Sequence, residues 1–238
     1  TVLVEDFVGD SRSEVAISWS PAAGNADPDA GVIFELRSDR GEVLRSFDST
    51  ILTDTAFPQV APIWYLREMM VGNVFGEGAD LVWALINSRW YSTMIGATSF
   101  RSASEKPSML FANSGHSQLL STADLNGDGI DEVVAVVINN PMGFQRVLVT
   151  FGARSRLTDE PCVRMSSPDI DAFSQARTMV PPGCSTYTPL GSGVRVMDAP
   201  RVTASGIEML VDAELRRFDL WGNPEGSPSF GTGGRARG

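Results

Sequence analysis

The sequence has few lysines, histidines and cysteines. Among its 238 residues there are one lysine, one histidine and two cysteines. With His116 as its single imidazole, the chain cannot build a multi-histidine metal site alone, and a Ser-His-Asp triad would have to use that residue. No G-x-S-x-G, Walker or G-x-G-x-x-G motif occurs, so nothing indicates a serine hydrolase or a nucleotide-binding loop. We therefore predict that the protein is not an enzyme, although its many carboxylates leave a glycosidase-type acid pair open.

Positive charge is also scarce. The 29 acidic residues outnumber the 19 basic ones, which gives a net charge of −10 and a pI of about 4.6. A nucleic-acid backbone or an anionic membrane surface would be repelled by such a chain, so we expect no nucleic-acid partner and look to cations or another protein. No run of 18 apolar residues occurs, so we predict no membrane span.

The two cysteines flank a segment that has no regular hydrophobic pattern. Cys162 and Cys184 lie at the two ends of this irregular loop, which predicts a disulfide, with two buried free thiols as the alternative. A bridge around a loop of this size would stabilise the fold by roughly 3 kcal/mol on the chain-entropy model. It would also indicate an oxidising, extracytoplasmic location, either periplasmic or secreted.

Short β-strand patterns fill the rest of the chain. Runs such as EVAISWS, DLVWALI and EVVAVVI are rich in β-branched and aromatic residues, and turn segments such as SDRG, NGDG and NPEG separate the strand patterns. Helical periodicity is scarce. The segment 55–70 could hold one short helix, although its two prolines weaken that interpretation. The pattern as a whole predicts an all-β fold.

One unit recurs along the chain: a strand, an acidic turn, a second strand and a hairpin. The clearest copy is DLNGDGIDEVVAVV from Asp124, and DFVGDSRSEVAISW from Asp6 is an echo of the same length. NVFGEGADLVWAL from Asn73 is one position shorter, and VTASGIEMLVDA from Val202 is fainter. The units predict one domain over residues 1–222 with an insertion at about 158–190, followed by a flexible Gly-rich tail at 223–238.

The acidic turn of the third unit gathers like charges that repel one another. Two carboxylates about 4 Å apart repel by roughly 1 kcal/mol in water, and a hard divalent cation reverses the sign. Ca²⁺ takes six to eight oxygen ligands, which alternate residues of a tight loop can supply, and Gly127 and Gly129 let the backbone turn sharply. The ligands that we predict for one Ca²⁺ are Asp124, Asn126, Asp128, the carbonyl of Ile130, and Glu132.

An EF-hand loop also opens with Asp-x-Asn-x-Asp-Gly, but two features exclude it. Its closing glutamate falls at the twelfth position, which is Ala135 here. Its loop also leads into a helix, whereas EVVAVVI is a strand former. The acidic loop is therefore nine residues long and lies between two strands.

This combination resembles the FG-GAP/VCBS repeat family, which is known from integrin α-subunits and many bacterial secreted proteins. The resemblance rests on HSQLLSTADLNGDGIDEVVAVV and, more weakly, on VGNVFGEGADLVWA. It implies a β-propeller of four-stranded antiparallel blades, with Ca²⁺ in the turn between the first two strands of a blade. Four units in 238 residues predict either a closed small ring or a partial propeller.

The first unit departs from the pattern at one ligand position. It keeps Asp6, Asp10 and Glu14 but has Val8 where the second ligand should be. The pattern leaves a second, weaker metal site open there, although we favour a capping role. In that role the aspartates only cap their own turn, with Arg12 as a partner.

The remaining units depart further. The second has Asn73, Phe75 and Glu77 at the ligand positions, and the fourth has no carboxylate before Glu208. Neither is expected to hold an ion.

One aromatic pair is a candidate for partner binding. Trp90 and Tyr91 follow the strand DLVWALI, and an exposed pair in a loop would suit recognition of a protein or a sugar; packing between blades is the alternative. We predict a non-catalytic, Ca²⁺-stabilised propeller that binds another protein, as an accessory subunit of an extracytoplasmic or membrane-associated complex. The alternative is a carbohydrate-binding propeller or the propeller part of a polysaccharide-active enzyme.

Overall fold

The described part of the chain is β-structure throughout. The computed structural model describes residues 2–19, 32–48, 64–87, 92–101, 108–114, 117–139, 145–152, 162, 184–196, 201–203, 205–219 and 224. These ranges contain fifteen strands and no helix, which confirms the all-β prediction. It follows that no described segment is a helix able to cross a membrane.

The strands form four antiparallel sheets, each from consecutive strands in chain order. The first sheet contains β1 (Val2–Glu5), β2 (Glu14–Trp19), β3 (Ile33–Arg37) and β4 (Val43–Asp48). The second contains β5 (Trp64–Gly72), β6 (Asp80–Asn87), β7 (Ser92–Thr98) and β8 (Ser108–Ser114). The third contains β9 (Ser117–Ala123), β10 (Glu132–Asn139), β11 (Gln145–Phe151) and β12 (Ser185–Ser192). The fourth contains β13 (Arg201–Thr203), β14 (Gly206–Val211) and β15 (Glu214–Phe218).

The possible helix over 55–70 is wrong where the structure describes that segment. Trp64–Gly72 forms β5, which pairs with β6 from one end to the other. The apolar spacing of this short segment is compatible with either structure, and the neighbouring strand decides between them because it supplies hydrogen-bond partners and a packed face. Residues 55–63 lie outside the described residues.

The predicted disulfide between Cys162 and Cys184 is present in the structure. Cys184 is buried and its carbonyl accepts a hydrogen bond from the Gly152 N–H at 3.1 Å, which ties the bridge to the end of β11. β12 begins at Ser185, so the predicted insertion at 158–190 overlaps this strand. Residues 163–183 lie outside the described residues.

The sheets stack face to face in chain order through three apolar clusters. The first cluster joins sheets one and two and includes Phe34 and Trp83. The second joins sheets two and three through residues such as Val82 and Val133, and the third joins sheets three and four through residues such as Val134. Because side chains alternate along a strand, β6 and β10 are covered on both faces. Both strands therefore read as unbroken apolar runs.

The first strands of successive sheets lie side by side. β5 contacts β9, β1 contacts β5, and β13 contacts β9. The Thr122 hydroxyl donates to the Val71 carbonyl at 2.7 Å, and a Cβ added to Gly72 would lie 2.8 Å from the Thr122 side chain. This close approach brings together the turns that follow β5 and β9. Within the described residues no apolar cluster joins sheet four to sheet one, so a closed ring is not shown.

Candidate metal centre

The third turn, residues 124–132, is folded around the carboxylate of Asp124. That carboxylate accepts backbone N–H groups from Gly127 at 2.6 Å, Asp128 at 3.1 Å and Gly129 at 2.9 Å. Gly127 and Gly129 have φ values of +81° and +84°, a region that favours glycine, so the two glycines are needed for this shape. These bonds fold the turn tightly around the Asp124 side chain.

The amide of Asn126 lies between two carboxylates of the same turn. Its Nδ2 donates to Asp128 Oδ2 at 3.0 Å and to Glu132 Oε1 at 3.2 Å. Glu132 is buried, and its Oε2 accepts the Leu125 N–H at 2.8 Å. A partially positive group therefore screens the two carboxylates from each other, at the point where a cation would do so more strongly.

The first turn, residues 6–14, repeats the bonds of the first aspartate at the same positions. The Asp6 carboxylate accepts N–H groups from Gly9 at 2.6 Å, Asp10 at 3.1 Å and Ser11 at 3.0 Å. Glu14 is buried like Glu132, but it accepts the Val8 N–H at 3.1 Å, from one position later in the turn than Leu125. The two turns therefore share most of their hydrogen-bond framework despite their different sequences.

The carboxylates of the first turn form a closer group than those of the third. Carboxylate oxygens of Asp6, Asp10 and Glu14 all lie within 4.8 Å of one another. Val8 has no polar side chain to insert between them, whereas Asn126 occupies the equivalent position in turn three. Among the described residues the three carboxylates of turn three do not form a group of this kind. Sequence analysis placed the stronger site in turn three, and the geometry gives turn one the tighter acidic cluster.

Backbone capping and metal binding are compatible in both turns. The capping role considered for Asp6 and Asp10 is present. Asp6 caps the turn, and Asp10 Oδ1 accepts the Arg12 N–H at 3.0 Å. An ionised carboxylate has about four lone-pair sites, so capping leaves acceptor capacity free. The available donors are carboxylate, amide and carbonyl oxygens, which suit a hard cation such as Ca²⁺ and not a soft one.

The second turn keeps part of this framework with one residue fewer. Asn73 Oδ1 accepts the Gly78 N–H at 2.8 Å, and Asp80 Oδ2 accepts the Phe75 N–H at 2.9 Å. Asp80 is fully buried and takes the place of Glu14 and Glu132. The sequence motif did not identify this closing acid. The signal was present, because in all three units an acid stands directly before the buried strand.

The fourth unit has no comparable turn. Thr203 pairs with Gly206 across a tight connection between β13 and β14, which leaves no room for an acidic loop. Glu208 lies within β14 and forms an ion pair with Arg217 at 3.0 Å. Its carboxylate is thus a cross-strand partner in the sheet.

Turns two and three are joined by three hydrogen bonds. The Asn73 N–H donates to Asp131 Oδ2 at 2.7 Å, and the Asp131 N–H donates to the Asn73 carbonyl at 2.9 Å. Asn73 Nδ2 also donates to the Gly129 carbonyl at 2.6 Å. Next to these bonds, a Cβ added to Gly76 would lie 3.2 Å from Ile130 Cγ1. The sequence pattern does not indicate these contacts, because they join different repeat units.

Turns one and two are joined by a side chain. The guanidinium of Arg101 contacts both Gly9 and Gly78, and a Cβ at either glycine would collide with it. Arg101 Nε is buried and has no hydrogen-bond partner among the described residues. Arg101 therefore acts mainly by filling the space between the two turns.

The predicted aromatic pair cannot be placed, since Trp90 and Tyr91 lie outside the described residues. His116 does too. Among the described side chains, the exposed aromatic ones are Trp19 on β2, at 46%, and Tyr65 on β5, at 37%.

Comparison with known proteins assigns no family. No family model matches the chain, and no curated protein matches it. One similar solved structure is the Bacillus licheniformis rhamnogalacturonan lyase PL11, with 17% identity and a TM-score of 0.41 over 94% of this chain and 45% of that one. Another is the exotype rhamnogalacturonan lyase YesX, with 14% identity and a TM-score of 0.39 over 95% and 46%. The chain spans less than half the length of either structure, and likeness at this level assigns no activity to it.

Proposed function

We propose that this protein is a Ca²⁺-binding β-propeller module in which turns one and three each hold one ion. The observation that carries the proposal is the cluster of Asp6, Asp10 and Glu14 within 4.8 Å, on a framework that turn three repeats. In turn one the ligands would be these three carboxylates. In turn three they would be Asp124, Asp128, the Ile130 carbonyl, Glu132 and Asn126. The Asn126 amide would have to rotate so that its Oδ1, which now accepts the Asp128 N–H, faces the ion in place of Nδ2.

Each bound ion would link the first two strands of its sheet, which is sheet one for the first turn and sheet three for the third. Each turn connects these strands, and its closing acid, Glu14 or Glu132, is buried at the start of the second one. A cation there would remove the repulsion between carboxylates that folding brings together. Binding to the folded state alone stabilises by about 2.7 kcal/mol when free Ca²⁺ is a hundredfold above its Kd.

The propeller arrangement is supported by the order and contacts of the sheets. Every sheet is an antiparallel meander, neighbouring sheets pack face to face, and the first strands of neighbouring sheets lie together. Blades around a common axis have this relationship. Four sheets would make either a small ring or a segment of a larger one.

The protein would act outside the cytoplasm by binding another protein. The disulfide supports an oxidising compartment, and the acidic composition favours a partner with a basic surface. Trp90 and Tyr91 remain the proposed contact residues. The alternative is carbohydrate binding or a part in a polysaccharide-active enzyme, for which a rhamnogalacturonan fragment is the first probe to use.

Calcium titration of purified protein tests the metal proposal. We expect two bound ions in the wild type, one in Asp10→Asn, one in Asp128→Asn and none in the double variant. The melting temperature should rise with Ca²⁺ and fall with a chelator, and NaCl of equal ionic strength should not reproduce the rise. A wild-type protein with no binding heat and an unmoved melting curve would exclude the proposal.

A pull-down from the native source and a glycan titration distinguish protein binding from carbohydrate binding. Capture of a defined partner that Trp90→Ala or Tyr91→Ala weakens by about 2 kcal/mol supports the protein-binding module. Saturable binding or cleavage of the rhamnogalacturonan fragment, with no protein captured, supports the carbohydrate reading instead.

A further inference from the structure

We infer that Asn73, in the second turn, is a positioning residue for the cation site of the third turn. The inference rests on the proposed function, because it concerns the affinity of that site. Asn73 is not a ligand in this scheme. It acts through the Ile130 carbonyl, the one backbone ligand proposed for turn three.

The hydrogen bonds of Asn73 fix the peptide groups on both sides of Ile130. Asn73 Nδ2 binds the Gly129 carbonyl at 2.6 Å, on the N-terminal side. The Asn73 carbonyl accepts the Asp131 N–H at 2.9 Å, on the C-terminal side. The Ile130 side chain also lies against Gly76 of turn two. The second turn therefore holds this three-residue segment from both ends.

The direction of the Ile130 carbonyl follows from peptide geometry. That carbonyl and the Asp131 N–H belong to one peptide group, which is trans, so they point in opposite directions. Because the N–H points at Asn73, the carbonyl points away from turn two. No described residue donates a hydrogen bond to it. An oriented carbonyl without a donor is available as a cation ligand.

The chemistry of position 73 explains why it is an asparagine. Its Oδ1 accepts the Gly78 N–H at 2.8 Å while its Nδ2 donates to the Gly129 carbonyl. An aspartate could accept but not donate, and its charge would face the oxygen of Gly129. The corresponding residues of the other turns, Asp6 and Asp124, act only as acceptors. Turn two has thus exchanged a charged ligand for a donor to its neighbour.

The first turn provides an internal control. In the described part of the chain, no residue of another turn bonds to the backbone of residues 11–13, which correspond to residues 129–131. A change at Asn73 should therefore act more on turn three than on turn one, which Asn73 reaches only indirectly through Gly78 and Arg101. A purely structural defect in the second sheet would weaken Ca²⁺ binding at turn one and at turn three alike.

Calcium titration of the full chain in two backgrounds tests the inference. Asn73→Ala keeps the backbone bond to Asp131 and loses the Nδ2 bond to the Gly129 carbonyl. In Asp10→Asn, where turn three is the remaining site, we expect it to weaken Ca²⁺ binding by about tenfold, the lower end of the effect of losing an outer-shell partner. In Asp128→Asn, where turn one remains, the same change should leave the Kd within about twofold. Glu77→Gln, an exposed change in turn two away from these bonds, is the matched control and should alter neither site.

The outcomes separate this inference from the proposed function. Wild type that binds Ca²⁺, together with an Asn73→Ala protein whose turn-three Kd is unchanged, overturns the positioning role and leaves the metal proposal standing. Wild type that binds no Ca²⁺ overturns both. If Asn73→Ala does not fold, Asn73→Asp keeps the acceptor for the Gly78 N–H, loses the donor and places a charge against the Gly129 oxygen, and it should weaken turn three in the same direction. Equal weakening of both sites would indicate a general loss of structure and would also overturn the inference.

Discussion

Ser11 and Gly129 occupy the same position in two different turns. Both have left-handed backbone conformations, with φ of +66° and +84°, and both donate an N–H to the first aspartate of their turn. Glycine adopts this conformation freely, whereas for other residues it costs about 1–2 kcal/mol. Turn one therefore keeps the shape of turn three at a local energetic disadvantage.

Replacing Ser11 with glycine should stabilise the protein. The relief of backbone strain exceeds the added freedom of glycine in the unfolded chain, so we expect the free energy of unfolding to rise by up to about 1 kcal/mol. Gly129→Ala should lower it by about 1 kcal/mol through strain alone, since no atom lies within 4 Å of the added Cβ. Urea denaturation in the presence of a chelator measures both. A Ser11→Gly protein clearly less stable than wild type would show that the serine side chain has a role of its own.

Gly78→Ala should be more damaging than Gly129→Ala. Its φ is +126°, and the space for a Cβ is taken by the Arg101 guanidinium. We expect a loss of about 2 kcal/mol or more in the free energy of unfolding, from strain and steric overlap together. Arg101→Ala in the same chain should recover the steric part. A double variant whose losses simply add would mean that the arginine moves aside at no cost.

The stacking of sheets predicts that neighbouring residues of β10 are equally sensitive. Val133 packs towards sheet two and Val134 towards sheet four, and both are fully buried. Truncation to alanine should destabilise by about 2 kcal/mol at either position, because each removes buried methyl groups. Val4→Ala, at a residue that is 60% exposed, is the matched control and should change little. Denaturant unfolding of the three variants measures these changes in the free energy of unfolding. An unchanged stability at either buried position would argue against packing on that face of β10.

The disulfide should resist alkylation in the folded protein and contribute to stability. Cys184 is 2% exposed, and the bridge closes a segment with a sequence separation of 22. Reduction should lower the free energy of unfolding by roughly 3 kcal/mol on the chain-entropy model. Intact mass after alkylation without reductant should be unchanged. Uptake of two alkyl groups would show that the thiols are free.

The sequence predicts the strands and turns well because their signals are local. β2, β6 and β10 are β-branched or aromatic runs that each follow a glycine-containing turn, and all three form where expected. β5 was ambiguous because Trp64–Gly72 carries no period-two pattern, and only its pairing with β6 settles its conformation. Local patterns decide an element when its own residues carry the preference.

The relations between turns could not be predicted in this way. Asn73 and Asp131 are 58 residues apart, and neither residue type in isolation indicates the other. Arg101 also gives no sign in the sequence that it lies between two glycines. The relative strength of the two acidic turns as metal sites was difficult to predict for the same reason. The distance between their carboxylates depends on whether the second ligand position holds Val8 or Asn126. Such distances follow from three-dimensional packing.

The consecutive order of strands within every sheet bears on how the chain folds. Apart from β11 and β12, which are joined by the connection that contains the disulfide, paired strands are close in sequence and can meet with little loop-closure entropy. An all-β chain of this kind should fold faster than one with mainly long-range pairing. The protection of backbone amides from hydrogen exchange should then be strongest in the two sheets that have neighbours on both sides, and weaker towards the first and fourth sheets. Native-state hydrogen exchange would be slowest for amides of β6 and β10 and fastest in the short β13, so the protein should open from the ends of the stack.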